Sequence, residues 1–161
     1  FHRVAINSSP VNNGNTSISV DIRNDYQNQT NGFTTAGAAS NPYGITNNGS
    51  DFWLTDYNAG VDATIYHFNS AGTNVGDGFD VLAIGSGTPR DIATNASGRK
   101  PTDFWILDAG DDFVYHTNYS GSNITDGFST SAAGASEPYG ITSNGSEFWI
   151  TDDDDDFVYN S

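Results

Sequence analysis

Cysteine and methionine are absent from this sequence, and basic side chains are rare. Without cysteine there is no disulfide, no zinc thiolate and no thiol nucleophile. The chain of 161 residues carries 5 Lys or Arg against 20 Asp or Glu, which gives a formal net charge of −15. Nucleic acids and anionic membrane surfaces both attract basic faces, so this balance argues against either partner. No apolar run reaches the length of about 18 residues that a membrane-spanning helix needs.

Residues that favour helices are scarce, whereas aromatic residues are abundant. Leu, Lys, Glu and Met, which build ordinary helices, are nearly absent, but there are 10 Phe, 8 Tyr and 3 Trp. Aromatic and β-branched residues favour strands, and the Gly, Asn, Asp and Ser residues between them favour turns. The charge excess alone would permit disorder, yet the aromatic residues recur at ordered intervals. We therefore predict an all-β protein.

Three internal repeats organise most of the chain. The copies span residues 41–79, 88–128 and 137–161, and each carries one marker proline and one marker tryptophan. These markers are Pro42, Pro89 and Pro138, followed by Trp53, Trp105 and Trp149. Residues 1–32 match poorly, although NTSISVDIRN from Asn15 alternates like a strand. We expect an N-terminal extension, a diverged partial repeat or an added strand at 1–32, and a three-repeat domain at 33–161.

Each copy reads as a series of short strands. In the first copy, a strand at 42–46 leads through an Asn-Asn-Gly-Ser turn into a strand at 51–56, because Asn-Gly favours a tight hairpin. A polar turn precedes a third strand at 63–68, and a looser segment ending in Gly-Phe forms a fourth. Four antiparallel strands in about 45 residues is the size of one propeller blade.

The repeat resembles the blades of six-bladed propellers of the NHL, YVTN or SMP-30-like kind. The resemblance rests on a Gly-Ile strand, an Asn-Gly turn, an apolar strand ending in Asp, a polar turn and an aromatic strand, as in PYGIT, NGS, FWITD and DDFVYH. It covers residues 33–161 and implies about three four-stranded antiparallel blades in this chain. Because the fold hosts many functions, the resemblance implies an architecture rather than an activity.

The repeats also suggest how the chain assembles. The third copy stops after three strands, and a Gly-Phe segment, GFTTAG from Gly32, stands unmatched before the first copy. An unpaired strand edge favours association. We hypothesise that the leading segment completes the last blade of a neighbouring chain, or that further blades lie outside this chain, which gives a ring or a fibre. The chain opens with Phe1 rather than Met, and we interpret it as a processed chain or a fragment.

Eight N-x-S/T sequons are candidate glycosylation sites. They lie at Asn7, Asn15, Asn28, Asn48, Asn95, Asn118, Asn123 and Asn144. Three of them, at 48, 95 and 144, follow the marker prolines at the same distance, so they fall in the same predicted turn. That turn should be exposed and able to carry a glycan, although Asn-Gly also suits a tight turn without modification. Glycans would indicate an extracellular protein.

Aspartates recur at the end of the Trp-bearing strand and in the turn after it, and they are the candidate metal ligands. The set is Asp108, Asp111, Asp112, Asp152, Asp155 and Asp156. Oxygen ligands suit Ca²⁺, but the chain has no EF-hand loop, and the metal-binding set of SMP-30-like enzymes cannot be matched. TDDDDDFVYN aligns with LDAGDDFVYH without a gap, which indicates a strand-connecting turn. We expect no cofactor, with a structural calcium ion as the alternative.

Histidine and tryptophan leave two further interpretations. His67 and His116 occupy equivalent positions and the third copy has Asn160 there, so the position reads as a polar strand site rather than a base or ligand. The three marker tryptophans are candidate sugar-stacking platforms, although their shared place in one strand favours blade packing. The chain has no nucleophile elbow and no phosphate-binding loop.

The sequence therefore favours a non-enzymatic extracellular protein with a structural or adhesive role. We expect it to be glycosylated and to form part of a cell-surface layer, appendage or fibre. Its expected partners are other copies, through strand exchange or edge pairing, and glycans. A carbohydrate-binding propeller is the alternative, and an SMP-30-like metal-dependent hydrolase is the third interpretation.

Overall fold

A computed structural model describes residues 4–10, 16–22, 32–58, 62–95 and 101–161. The chain divides into two compact units, Phe1–Gly32 and Phe33–Ser161. In the first unit the backbones of β1 (Val4–Pro10) and β2 (Thr16–Ile22) pair as an antiparallel hairpin.

The second unit contains three antiparallel sheets in which each strand pairs with its neighbours in chain order. The first sheet comprises β3 (Pro42–Asn47), β4 (Phe52–Asn58), β5 (Asp62–Phe68) and β6 (Phe79–Asp80). The second comprises β7 (Pro89–Thr94), β8 (Asp103–Asp108), β9 (Phe113–Asn118) and β10 (Phe128–Ser129). The third comprises β11 (Pro138–Ser143), β12 (Phe148–Asp152) and β13 (Phe157–Asn160).

These sheets confirm the predicted all-β, blade-type fold. Two blades have four strands, and the third has three within the part of the chain that the structure describes. A single turn of 3-10 helix, Leu82–Ile84, follows β6. No helix in the described ranges is long and apolar enough to cross a membrane.

Two hydrophobic clusters join successive blades. The first packs Trp53 and Ile65 of the first blade against Ile92 and Phe104 of the second. The second cluster likewise joins the second and third blades, through residues that include Leu107, Val114, Ile141 and Ile150. The inner strand of the middle blade, β7, lies next to both β3 and β11. The three inner strands therefore run side by side, and burial of apolar surface between blades stabilises that arrangement.

The Gly-Phe segments also connect one blade to the next. The Phe79 ring lies 5.9 Å from the Phe104 ring of the following blade, and Phe128 lies 5.5 Å from Phe148. Phe33 makes the equivalent contact with Phe52 at 5.7 Å. Residues 32–35 form no ladder with the described residues, and their pairing with a neighbouring chain stays a prediction. The Phe33 ring also lies 5.5 Å from the Phe68 ring, and the carbonyl oxygen of Thr35 accepts bonds from the N–H groups of Ala38 and Ala39.

Candidate functional site

The aspartates that end the central strands accept hydrogen bonds from the chain around them. Asp108 is 1 % exposed and accepts bonds from Ser86 Oγ at 2.8 Å and from Thr88 N at 2.7 Å. It also accepts from Thr88 Oγ1 and from the backbone N–H groups of Gly110 and Asp111. Burial alone would raise the pKa of Asp108, but the bonds from Thr88 and Ser86 outweigh it and lower that pKa. The carboxylate therefore fixes both the loop before β7 and the turn after β8.

The equivalent aspartates also accept bonds from the loop before the first strand of their blade. Asp152 accepts bonds from the N–H groups of Glu137 and Asp155, and Asp56 accepts from Asn41 N. Sequence reasoning anticipated the turn, but it did not reveal that Asp108 and Asp152 each tie that turn to the preceding loop, while Asp56 accepts bonds from the loop before β3.

The acids inside the turns pair with tyrosines. Asp111 and Asp155 accept bonds from the hydroxyls of Tyr115 and Tyr159, each at 2.8 Å. Burial and the Asp111 carboxylate raise the pKa of Tyr115 to about 12. The remaining candidates, Asp112 and Asp156, follow directly and adopt left-handed backbone angles with φ of 50° and 52°, which Asp tolerates better than most residues.

These contacts bear on the candidate calcium site. Most of the named carboxylates already accept hydrogen bonds from protein donors. Across the described side chains, no group of three or more His, Asp or Glu residues could hold a metal ion. A structural calcium ion at these aspartates stays a prediction.

The candidate glycosylation sites differ in their exposure to solvent. Among those with described side chains, Asn95, Asn123 and Asn144 are exposed, Asn118 is half-buried and Asn48 is buried at 7 % exposure. The Oδ1 atoms of Asn48 and Asn144 accept N–H bonds inside their own turns, as expected for Asx turns. The side chains at 7, 15 and 28 lie outside the described residues. Asn95 and Asn144 are thus exposed at the shared position, whereas Asn48 is buried there.

The two repeat histidines are more enclosed than a polar strand site implies. His67 and His116 are 6 % and 8 % exposed, and each ring stacks on a tryptophan, at 4.5 Å from Trp53 and 4.4 Å from Trp105. His67 Nδ1 lies 2.6 Å from Asp77 Oδ1. Asp126 is the equivalent partner of His116.

The acid beside His67 also joins two blades. The Tyr119 hydroxyl of the second blade donates to Asp77 Oδ2 of the first at 2.7 Å. Burial raises the pKa of Asp77, but the bonds from Tyr119 and His67 outweigh it and lower that pKa. The signal in the sequence was the repeated Asp-Gly-Phe that supplies both acids.

The marker tryptophans lie mainly among protein neighbours. Trp53 is 2 % exposed, and Trp105 and Trp149 are half-buried. One ring face of Trp53 and of Trp105 is covered by a histidine. The contacts of Trp53 and Trp105 are typical of packing within a blade, and sugar stacking on the marker tryptophans stays a prediction.

The inner strands carry the feature that departs most from the repeat. Tyr43-Gly44 of β3 and Tyr139-Gly140 of β11 correspond to Arg90-Asp91 in β7. We define Tyr43, Arg90, Asp91 and Tyr139 as the inner-strand site. Two charged residues therefore occupy the middle of three neighbouring strands, where the other copies have a tyrosine and a glycine.

Asp91 holds the three inner strands together. Its Oδ2 accepts a bond from Ile141 N of β11 at 2.8 Å, and its Oδ1 accepts one from Ile92 N at 2.8 Å. A further bond comes from Ile45 N of β3. Burial nevertheless raises the pKa of Asp91 above its ordinary value, against the effect of those bonds.

Arg90 lies between two tyrosine rings. Its guanidinium carbon is 4.8 Å from the centroid of Tyr43 and 5.0 Å from that of Tyr139. Tyr43 and Tyr139 are 50 % and 52 % exposed, so the clamp is at the surface. Such cation–π contacts stabilise an arginine and restrict its orientation.

A cleft of about 300 Å³ lies further along the same three strands. Hydroxyl and amide groups line much of it, including those of Thr46, Asn47, Thr94, Thr142 and Ser143. The inner strands thus offer one cation between aromatic rings and a polar cleft, which is an arrangement suited to binding. Sequence reasoning missed it, although the change from Tyr-Gly to Arg-Asp in the second copy was visible.

Comparisons with known proteins bear on the fold alone. No protein-family model and no curated protein matches the chain. Among solved structures, the chain is similar to one in the crystal structure of a nidogen/laminin complex, with a TM-score of 0.59 and 21 % identity. The similarity covers 77 % of this chain and 44 % of that chain, so this chain spans less than half its length. The matched domain is a β-propeller, and the likeness supports propeller-type blades in this chain.

Proposed function

We propose that the chain is a non-enzymatic extracellular module that assembles through the free edge of β13. In this role it is a glycosylated structural or adhesive subunit of a surface layer, appendage or fibre. The observation that carries the proposal is the apolar surface that β13 leaves uncovered.

The first two blades show how such an edge is normally covered. In the first blade, Ile65 pairs with Phe79 of β6 and is 0 % exposed. In the second, Val114 pairs with Phe128 of β10 and is also 0 % exposed. The equivalent residue of the third blade, Val158, is 53 % exposed, and no strand within the described residues pairs with that side of β13.

The sequence identifies the kind of strand that fits this edge. Both covering strands begin with Phe after Gly, and residues 32–35, Gly-Phe-Thr-Thr, have the same form. This segment forms no ladder with the described residues. We infer that residues 32–35 of a second copy pair with β13, since unpaired edges associate readily with strands.

Two observations support an extracellular setting. Asn95, Asn123 and Asn144 are exposed sequons that can accept a glycan. The similar propeller comes from a complex of nidogen with laminin, so the same fold serves there in a protein–protein complex. The carbohydrate-binding alternative does not depend on the marker tryptophans, because the inner-strand site offers exposed aromatic rings of its own.

A charge placed on the free edge tests the proposal. Val158→Asp introduces a carboxylate where the incoming strand would bury the side chain. Val75→Asp is the matched control, because Val75 is 47 % exposed in a loop of the first blade. Light scattering over a range of protein concentrations, with electron microscopy, measures association. We expect association for the parent chain and for Val75→Asp, and monomers for Val158→Asp. A parent chain that stays monomeric at high concentration, or equal association of both variants, would overturn the proposal.

A further inference from the structure

The inner-strand site contains a cation without an anionic partner. Arg90 is the only Lys or Arg whose side chain the structure describes, and it makes no ion pair or side-chain hydrogen bond with the described residues. Its Nε is buried and lacks an acceptor among them. The neighbouring Asp91 carboxylate is directed to backbone N–H groups instead. The terminal N–H groups of this half-buried residue also have no acceptor among the described residues, and an acceptor from outside the chain would bind there.

The clamp defines the geometry of that acceptor. The guanidinium carbon lies 4.8 Å and 5.0 Å from two tyrosine rings on the neighbouring strands. Because Nε is buried, a ligand would meet the edge formed by the terminal N–H groups of this half-buried residue. A carboxylate presents two oxygens in one plane and fits that edge with two parallel hydrogen bonds. The net charge of −15 opposes polyanions and dianions. The favoured ligand therefore carries a single carboxylate.

The surroundings of the clamp favour a sugar as the carrier. Tyr43 and Tyr139 are half exposed, so parts of both rings remain open to an apolar face. Pyranose rings offer such faces, and tyrosine combines an apolar ring with a polar hydroxyl. The polar cleft begins two residues further along the same strands and extends to the fourth, roughly 7–13 Å away at the rise of a strand. That spacing suits a short glycan whose neutral sugars follow the acid.

We propose that Arg90, clamped between Tyr43 and Tyr139, binds the carboxylate of a sugar acid at the end of an otherwise neutral glycan. The Arg90 N–H groups hold the carboxylate and the tyrosine rings contact the sugar. The hydroxyl-lined cleft receives the next sugar units. This site is separate from the β13 edge, so either proposal can fail without the other.

Calorimetric titration with a disaccharide that ends in glucuronate tests the site. The matched neutral disaccharide ends in glucose, and acetate is the bare carboxylate. We expect the glucuronate ligand to bind at least about tenfold more tightly than either probe, because only it engages both the cation and the rings. Equal affinity for the acidic and the neutral disaccharide would overturn the assignment of the carboxylate to Arg90.

The repeat provides a variant that should fold. Arg90→Tyr introduces the residue that both other copies have at this position, and we expect it to remove glucuronate binding with an unchanged circular dichroism spectrum. Ser70→Asp, in an exposed turn, changes the net charge by the same amount and should bind like the parent chain. Retained binding by Arg90→Tyr would overturn the proposal.

A second variant separates the sugar from its carboxylate. Tyr43→Leu removes one ring and keeps Arg90, so it should weaken glucuronate binding several-fold and leave acetate binding unchanged. A glutamate-containing peptide is the competing source of a carboxylate. If that peptide binds through Arg90 and the sugar acid does not, the ligand is a protein and the proposal is wrong.

Discussion

Asp91 of β7 accepts a hydrogen bond from the Ile141 N–H of β11 at 2.8 Å, which joins the inner strands of two blades through one carboxylate. The same side chain also accepts a bond from Ile45 N of β3 on the other side. The blades also contact one another through two apolar clusters and through the bond from Tyr119 to Asp77. Asp91 thus adds a directional bond on each side of the middle blade, where packing alone would allow sliding.

Removal of this carboxylate should loosen both neighbouring blades. Asp91→Ala leaves backbone N–H groups of three strands without an acceptor, and we expect the free energy of unfolding to fall by about 2–4 kcal/mol. Urea denaturation measures the loss, and hydrogen exchange at Ile45 and Ile141 should accelerate. Asp154→Ala, in an exposed turn, is the control and should change stability little. Equal effects of the two substitutions would contradict the role of Asp91.

Asp91 and Asp108 should respond to acid in opposite directions. The pKa of Asp91 in the folded chain is raised above 3.8. Protonation of Asp91 therefore adds to the free energy of unfolding below pH 3.8, and that contribution is lost as the pH rises through the folded pKa. The folded pKa of Asp108 is lowered, so its contribution is present above 3.8 and is lost as pH falls through that lower value.

Asparagine variants isolate these two contributions. The free energy of unfolding of the parent chain minus that of Asp91→Asn should increase as pH falls from 6 toward about 3. The same difference for Asp108→Asn should be about 2–4 kcal/mol near neutral pH, because the new amide group would face five hydrogen-bond donors. This difference should shrink below about pH 4. Denaturation at several pH values gives both slopes, and slopes of the same sign would refute the assignment.

Gly44 should tolerate no side chain, because Asp91 occupies the space beside it. A Cβ at Gly44 would fall on the Cα and Oδ1 of Asp91 and 2.7 Å from the Arg90 carbonyl oxygen. Since two of these atoms are backbone, β3 and β7 would have to separate, and we expect Gly44→Ala to cost about 1–3 kcal/mol or more. Gly87→Ala is the control, because a Cβ there meets no atom within 4 Å. Comparable melting temperatures for the two variants would show that the strands can move apart freely.

The sequence predicted the blades well because their signals are local. Alternating aromatic residues and Asn-Gly turns placed the strands within about two residues of β3, β4 and β5. The alignment of the aspartate run with the second copy correctly predicted a turn between β12 and β13. These features depend on neighbours in the chain, which a sequence displays directly.

The candidate binding site depends on contacts between strands far apart in the chain. Arg90 meets Tyr43 and Tyr139 only because three inner strands lie side by side. The burial of His67 likewise depends on Asp77 and on Tyr119 of the next blade. A departure from the repeat, such as Arg-Asp in place of Tyr-Gly, marks such a position but does not show its partners.

Tyr115 reports whether the turn aspartates bind calcium. Burial and Asp111 raise the pKa of Tyr115 to about 12. Asp111→Asn should therefore bring the pKa of Tyr115 back toward the ordinary value of 10.0. The control, Asp153→Asn in the exposed turn of the third blade, should leave that pKa unchanged. Carbon-13 NMR of labelled tyrosine measures that pKa. A calcium ion on Asp111 would neutralise the carboxylate and lower the pKa in the same way. We expect millimolar Ca²⁺ to have no such effect, because the Tyr115 hydroxyl already occupies Asp111 Oδ2. A calcium-dependent fall in the pKa of Tyr115 would instead establish the metal site.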